Sequence, residues 1–123
     1  MATGSNLDLV ACRKWIADAL EYSGGTHTVD DIFEGIERGR LHLWPAERGC
    51  LVTEFIDYPR KRVINVFLGG GEMDQLKDMH DSIVNFGKAN GCTAATISGR
   101  PGWARVWRSA GFKPTCLTVE KEI

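Results

Sequence analysis

CLVTEFIDYPRKRVINVFLGGG, residues 50–71, holds two apolar runs broken by Tyr58-Pro59-Arg60, and this arrangement decides the fold. Val, Ile, Phe and Thr dominate both runs, residue types that suit a pleated, half-buried surface. The pattern predicts strands over 50–57 and 61–68 joined as a hairpin. On the second strand Ile64, Val66 and Leu68 line one side while Val63 and Phe67 line the other. Both faces are therefore apolar, as in a sheet covered by helices on each side. Two polar residues interrupt the pattern: Glu54 between Val52 and Ile56, and Asn65 between Val63 and Phe67. With the turn centred on Pro59 and Arg60, the register sets Glu54 opposite Asn65 on one face.

Working outward, residues 40–46 form a preceding strand, broken from the next at Pro45 to Gly49, which completes a three-stranded antiparallel meander. Upstream, Leu9, Cys12, Ile16, Ala19 and Leu20 recur at helical spacing, predicting a helix over 7–22 that Ser23-Gly24-Gly25 ends. A second helix starts at the cap Thr28, with Asp31 three residues on, carries Val29, Ile32, Phe33 and Ile36 on one face, and stops near Gly39. Downstream, Gly69-Gly70-Gly71 reads as a turn into a third helix marked by Leu76, Met79, Ile83 and Phe86. Asn90-Gly91 closes that helix as a left-handed cap. A strand at 92–98 follows, then a fourth helix opened by Pro101 with Trp103, Val106, Trp107 and Ala110 on its apolar face. Gly111 ends it, and residues 113–122 alternate as a last strand. The expected fold class is α/β, a mixed sheet built as an antiparallel meander followed by β-α-β-α-β with helices on both faces. Residues 1–123 are expected to form one domain, large enough to bury a core without staples.

Composition narrows the function. Fifteen Lys and Arg against sixteen Asp and Glu give a formal net charge of -1, so no global field draws the chain to nucleic acid or anionic lipid. The cluster Arg60, Lys61 and Arg62 reads as a solvated hairpin tip. Cys12, Cys50, Cys92 and Cys116 lie far apart with no CxxC pair, and His27, His42 and His80 are dispersed. Metal-ligand spacing is absent, and the cysteines read as small core hydrophobes in a reducing compartment. The first residues lack a signal-peptide pattern, and no apolar stretch reaches the roughly 20 residues that span a bilayer. The expected location is the cytoplasm, with no membrane partner.

The order of elements, together with Val106-Trp107-Arg108-Ser109-Ala110-Gly111-Phe112, resembles the GNAT superfamily of acyl-CoA N-acyltransferases, whose short fourth helix closes on Gly-Phe. The small size and the wording of residues 57–62 are similar to GNAT-like proteins of tailed bacteriophages. The resemblance implies acetyl-CoA as cofactor, an amine as acceptor and no metal. It places the glycine turn Gly69, Gly70 and Gly71, preceded by Leu68, at the cofactor's pyrophosphate, since glycines allow close backbone approach and a helix start favours negative charge. Ser98, Arg100, Trp103 and Trp107, at the other edge of the cleft, complete the expected cofactor-binding set. Two departures stand out. The usual phosphate-loop spacing is missing, with Glu72 and Asp74 at the helix start. Trp107 occupies the place of a tyrosine proton donor, and an indole is no useful acid.

Glu54 and Asn65 are the expected catalytic pair, because a carboxylate in an apolar strand is the kind of group proteins tune for proton transfer. The bland alternative is a buried polar pair that only fixes strand register. Trp44, Trp103 and Trp107 read as core or cleft-wall aromatics and His80 as a surface residue. Two functions follow from the resemblance. One is an acetyl-CoA-dependent N-acyltransferase with Glu54 as base. The other is a non-catalytic phage virion component, assembly factor or host-protein binding module, whose partners are other phage or host proteins.

Overall fold

A computed structural model describes residues 6–123. Three strands, β1 (Leu41–Ala46), β2 (Gly49–Asp57) and β3 (Arg62–Gly71), form the antiparallel meander. A fourth, β4 (Ala94–Ile97), joins β3 in parallel, giving one mixed sheet of order β1-β2-β3-β4. Pro45, which has no N–H to donate, sits on the edge strand β1, where it costs least. The hairpin closes with the Tyr58 N–H donating to the Lys61 carbonyl at 2.8 Å, and Glu54 faces Asn65 as the sequence predicts.

The first helix, α1 (Asn6–Leu20), and the second, α2 (Val29–Glu37), cover one face of the sheet. Thr28 caps α2 through a capping box: its hydroxyl accepts from the Asp31 N–H at 3.2 Å, and the Asp31 carboxylate accepts from the Thr28 N–H at 2.9 Å. These bonds hold the Asp31 carboxyl below its ordinary pKa. Leu9, Cys12, Ile16, Ile32 and Ile36 pack with Leu43, Cys50, Val52 and Leu68 into the core on this side. Each fully buried aliphatic side chain there contributes about 1.5–3 kcal/mol relative to exposure. The opposite face carries α3 (Met73–Asp78), α4 (His80–Ala89) and α5 (Gly102–Val106), the last continued by a 3₁₀ turn at Arg108–Ala110. Their core joins Leu76, Ile83 and Trp107 to Trp44, Leu51, Ile64 and Val66.

Four expectations need correction. The single helix over the third apolar stretch is two, parted at Met79. Gly69, Gly70 and Gly71 are not a turn but the end of β3, paired with Leu51, Cys50 and Gly49. Phe67 is an extra residue: Thr53 faces Val66 while Val52 faces Leu68. This β-bulge carries Leu68 to the core under α1 and α2, away from Ile64 and Val66. The last strand does not form. Residues 113–123 are exposed and make no backbone hydrogen bond to another described residue, because alternation supplies strand preference but not a strand to pair with. The cysteines divide as well: Cys12 and Cys50 are buried, Cys92 is half-buried and Cys116 is exposed. The hydrogen bond between Cys12 and Cys50, followed by burial, pushes the Cys50 thiol well above its ordinary pKa, which keeps it inert.

Candidate functional site

The site begins where β3 and β4 part. Their pairing covers only Val63 to Val66 against Ala94 to Ile97, flanked by a bond from the Thr93 N–H to the Arg62 carbonyl at 3.0 Å at one end and from the Ser98 N–H to the Val66 carbonyl at 2.9 Å at the other. Beyond the Ser98 bond β4 gives way to Gly99 and Arg100, and the edge of β3 from Phe67 onward has no strand beside it among the described residues. A cleft of about 430 Å³ occupies the gap. The end of α1 supplies Ala19, the following loop supplies Tyr22, Ser23 and Thr26, β3 supplies Phe67, Leu68 and Gly69, and the far side supplies Ser98, Arg100 and Trp103.

Glycines shape this region through close packing. A Cβ on Gly69 would lie 2.6 Å from both Leu51 and the Trp103 ring, so Trp103, rooted in the opposite core, floors the gap over a bare backbone. A Cβ on Gly70 would lie 2.9 Å from the Trp15 carbonyl of α1. Gly71 has φ +106, and its added Cβ would strike the Arg48 carbonyl at 2.3 Å. Glu72 begins α3 and forms an ion pair with Arg48. The glycines thus serve strand packing, with the sequence-expected phosphate turn absorbed into the β2–β3 ladder. At the cleft mouth the Arg100 guanidinium stacks over the Tyr22 ring at 4.1 Å, close to solvent and not committed to any carboxylate among the described residues.

A second cleft, of about 550 Å³, adjoins it on the α2 side, with His27, Asp31, Glu34, Leu41, Glu54 and Arg62 among its walls. Asn65, 4% exposed, links the two. Its amide nitrogen donates to Glu54 Oε2 at 3.0 Å, while its Oδ1 accepts from the Thr96 hydroxyl at 2.7 Å and the Ser98 hydroxyl at 3.2 Å. The hydroxyls fix which way the amide points, and the amide fixes the carboxylate. Glu54 opens into the second cleft and Ser98 into the first. The chemistry available is a held carboxylate in one cleft, directed by hydrogen bonds to groups lining the other. Among the described residues no cluster of three or more His, Cys, Asp or Glu could hold a metal ion.

Of the residues expected from sequence, Leu68, Gly69, Ser98, Arg100 and Trp103 line the first cleft. Glu54 and Asn65 lie beside it, hydrogen-bonded as a pair. Gly70 packs on α1 and Gly71 on the β1–β2 turn. Trp107 is buried, its ring 6.4 Å from that of Trp103, and its indole N–H has no partner among the described residues. It belongs to the core under α4. Sequence reasoning missed Tyr22, Thr26, Phe67 and His27. His27 bonds Thr26 Oγ1 through Nδ1 at 2.7 Å, and its ring lies 5.7 Å from Phe67. The available signal was a polar triplet, Thr26-His27-Thr28, between a glycine stop and a helix cap.

No family model and no curated protein matches the chain. Solved structures do. A transcriptional regulator from Bacillus halodurans superposes with TM-score 0.75 at 14% identity, covering 98% of this chain and 97% of its own. An acetyltransferase of Trypanosoma brucei gives 0.72 at 9% identity, covering 98% and 96%. A predicted acetyltransferase from Clostridium acetobutylicum, solved with acetyl-CoA, gives 0.71 at 15% identity, covering 97% and 92%. The chain therefore has the GNAT-like acetyltransferase fold, a mixed sheet with helices on both faces.

Proposed function

We propose that this chain is an acyl-CoA-dependent N-acyltransferase that holds the acyl-CoA where β3 and β4 part and the amine in the adjoining cleft. The observation that carries this reading is the Glu54–Asn65–Ser98 chain, which ties a carboxylate in one cleft to the wall of the other. Phe67, Leu68 and Trp103 suit a pantetheine arm, and the open edge of β3 offers backbone N–H groups to a thioester carbonyl. Arg100 supplies the charge for the phosphates in place of a glycine cradle. Glu54 takes a proton from the amine as the nitrogen attacks the thioester carbon. The acetyl-CoA complex of a protein with this fold supports the choice of cofactor. The buried free thiols Cys12 and Cys50 fit a reducing compartment such as the cytoplasm. Glu54→Gln is expected to leave acetyl-CoA binding in place and to lower turnover about 10²- to 10⁴-fold. Unchanged turnover would remove Glu54 as the base.

A second reading is a non-catalytic protein of this fold serving a tailed phage as virion component, assembly factor or host-protein binder. The observation favouring it is the glycine segment, whose close approaches are taken up by Trp103, Trp15 and Arg48 rather than left open for a phosphate. The exposed Leu117, Val119 and Ile123 would then meet a protein partner. Absence of any acetyl-CoA binding, with retained folding, would favour this reading over the first.

A further inference from the structure

Moving an acyl group from a thioester to an amine requires two proton movements, since nitrogen gives one up and sulfur takes one on. Glu54 accounts for the first only. Trp107 cannot serve the second, because it lies in the core and an indole N–H does not ionise usefully. One titratable group stands on the partition between the two clefts. His27 lines the acceptor cleft, while its bonded neighbour Thr26 and its ring partner Phe67 both line the acyl-CoA cleft. The Thr26 contact occupies Nδ1, and Nε2 has no hydrogen-bond partner among the described residues. Phe67 is the bulge residue at the point where β3 loses its partner strand, so the imidazole borders the position at which a thioester in the gap would be cleaved.

Charged groups from both neighbouring layers face this partition. From α2 come Asp31, held by the Thr28 N–H, and Glu34, paired with Arg38 at 3.2 Å. From the strands come Glu54 and Arg62, which pairs with Asp57 at 3.1 Å, and from the loop before β1 comes Arg40, 3.9 Å from Glu34. The two arginines each have a carboxylate partner, whereas Glu54 is held only by an amide. Tyr22 and Arg100 face the neighbouring cleft and stack on each other.

We propose that His27 is the proton donor to the departing thiolate. This rests on the transferase reading above. As the C–N bond forms, Glu54 receives the amine proton. As the C–S bond breaks, its electron pair goes to sulfur, which takes the proton from His27 Nε2, and exchange with water restores both groups. The product is an amide and a free thiol, with no other reactant consumed.

The test compares wild type with His27→Gln, following release of free thiol from acetyl-CoA and from S-acetyl-4-nitrothiophenol, with spermidine or a lysine peptide as acceptor and water as the background acceptor. The aromatic thiolate leaves without a proton. His27→Gln should lower kcat on acetyl-CoA about 10²-fold, leave the acetyl-CoA-induced thermal shift and KM unchanged, and restore most of its activity on the aromatic thioester. An equal loss on both thioesters would make His27 merely structural, and no loss on acetyl-CoA would remove it from the reaction. Either result leaves the transferase reading standing. No thiol release by wild type from acetyl-CoA would overturn both.

Discussion

The two faces of the sheet are built on opposite plans. Under α3, α4 and α5 the face is filled: the rings of His42, Phe55 and Phe86 cluster with centroids 4.7 to 5.4 Å apart, and Trp44 meets Phe86 edge-on at 5.6 Å. Near β1 its buried polar groups meet one another, with the Trp44 indole N–H donating to Thr53 Oγ1 at 2.9 Å and His42 Nδ1 meeting the same oxygen at 3.3 Å. Under α1 and α2 the core is apolar around Leu43, Cys50 and Val52 and gives way to two clefts, one where β3 and β4 part and one against α2 and the start of β1. The difference teaches where selection for packing stops and room for a ligand begins. Substitutions on the filled face should cost stability and spare ligand binding, and those on the clefted face should do the reverse.

The largest effect expected beyond the catalytic variants is that of Thr53→Val. It leaves a buried indole N–H without its acceptor and should cost about 1–3 kcal/mol of stability, read by denaturant unfolding, with acetyl-CoA binding intact. Loss of binding in that variant would break the division between the faces. Arg100→Gln should behave oppositely, changing stability by no more than about 0.5 kcal/mol and weakening acetyl-CoA about tenfold, equal to about 1.4 kcal/mol. Binding of pantetheine, which lacks the nucleotide phosphates, should not respond to the change. The smallest effect is a pH dependence from His42. Burial, more than the nearby Arg62, lowers its pKa from the ordinary 6.5. The unfolded chain therefore takes up this proton at a higher pH than the folded one. Stability from this residue is complete above 6.5 and is lost as pH falls from there toward the lower folded value. His42→Phe should flatten that part of a melting-temperature profile, and an unchanged profile would place the dependence elsewhere.

Much of this was legible because it is local. The capping box at Thr28 and Asp31 and the Pro59-Arg60 turn are written in neighbouring residues, and the turn carries the register as far as Glu54 and Asn65. The bulge at Phe67 was not legible, because it is a slip in the pairing of β3 with β2 that the alternation along β3 does not record. Leu68 changed faces for that reason, and the glycines that read as a turn proved to be the price of packing Trp15, Trp103 and Arg48 against one strand end. The alternation of residues 113–122 encodes a preference that finds no partner strand among the described residues. His27 escaped notice because its value comes from Phe67 and Glu54, both remote in the chain. The Glu54–Asn65 pair was readable in outline, as polar residues in an apolar hairpin, but the hydroxyls of Thr96 and Ser98 that orient it come from β4 and the residue after it.

The central claim is that the gap beside Phe67, Leu68 and Gly69 admits an acyl-CoA. Thermal unfolding with and without millimolar acetyl-CoA tests it most directly. If the ligand is present at about 100 times its dissociation constant, it should add about 2.7 kcal/mol and raise the melting temperature by several degrees. A melting temperature that does not move would contradict the claim and leave the fold without its ligand.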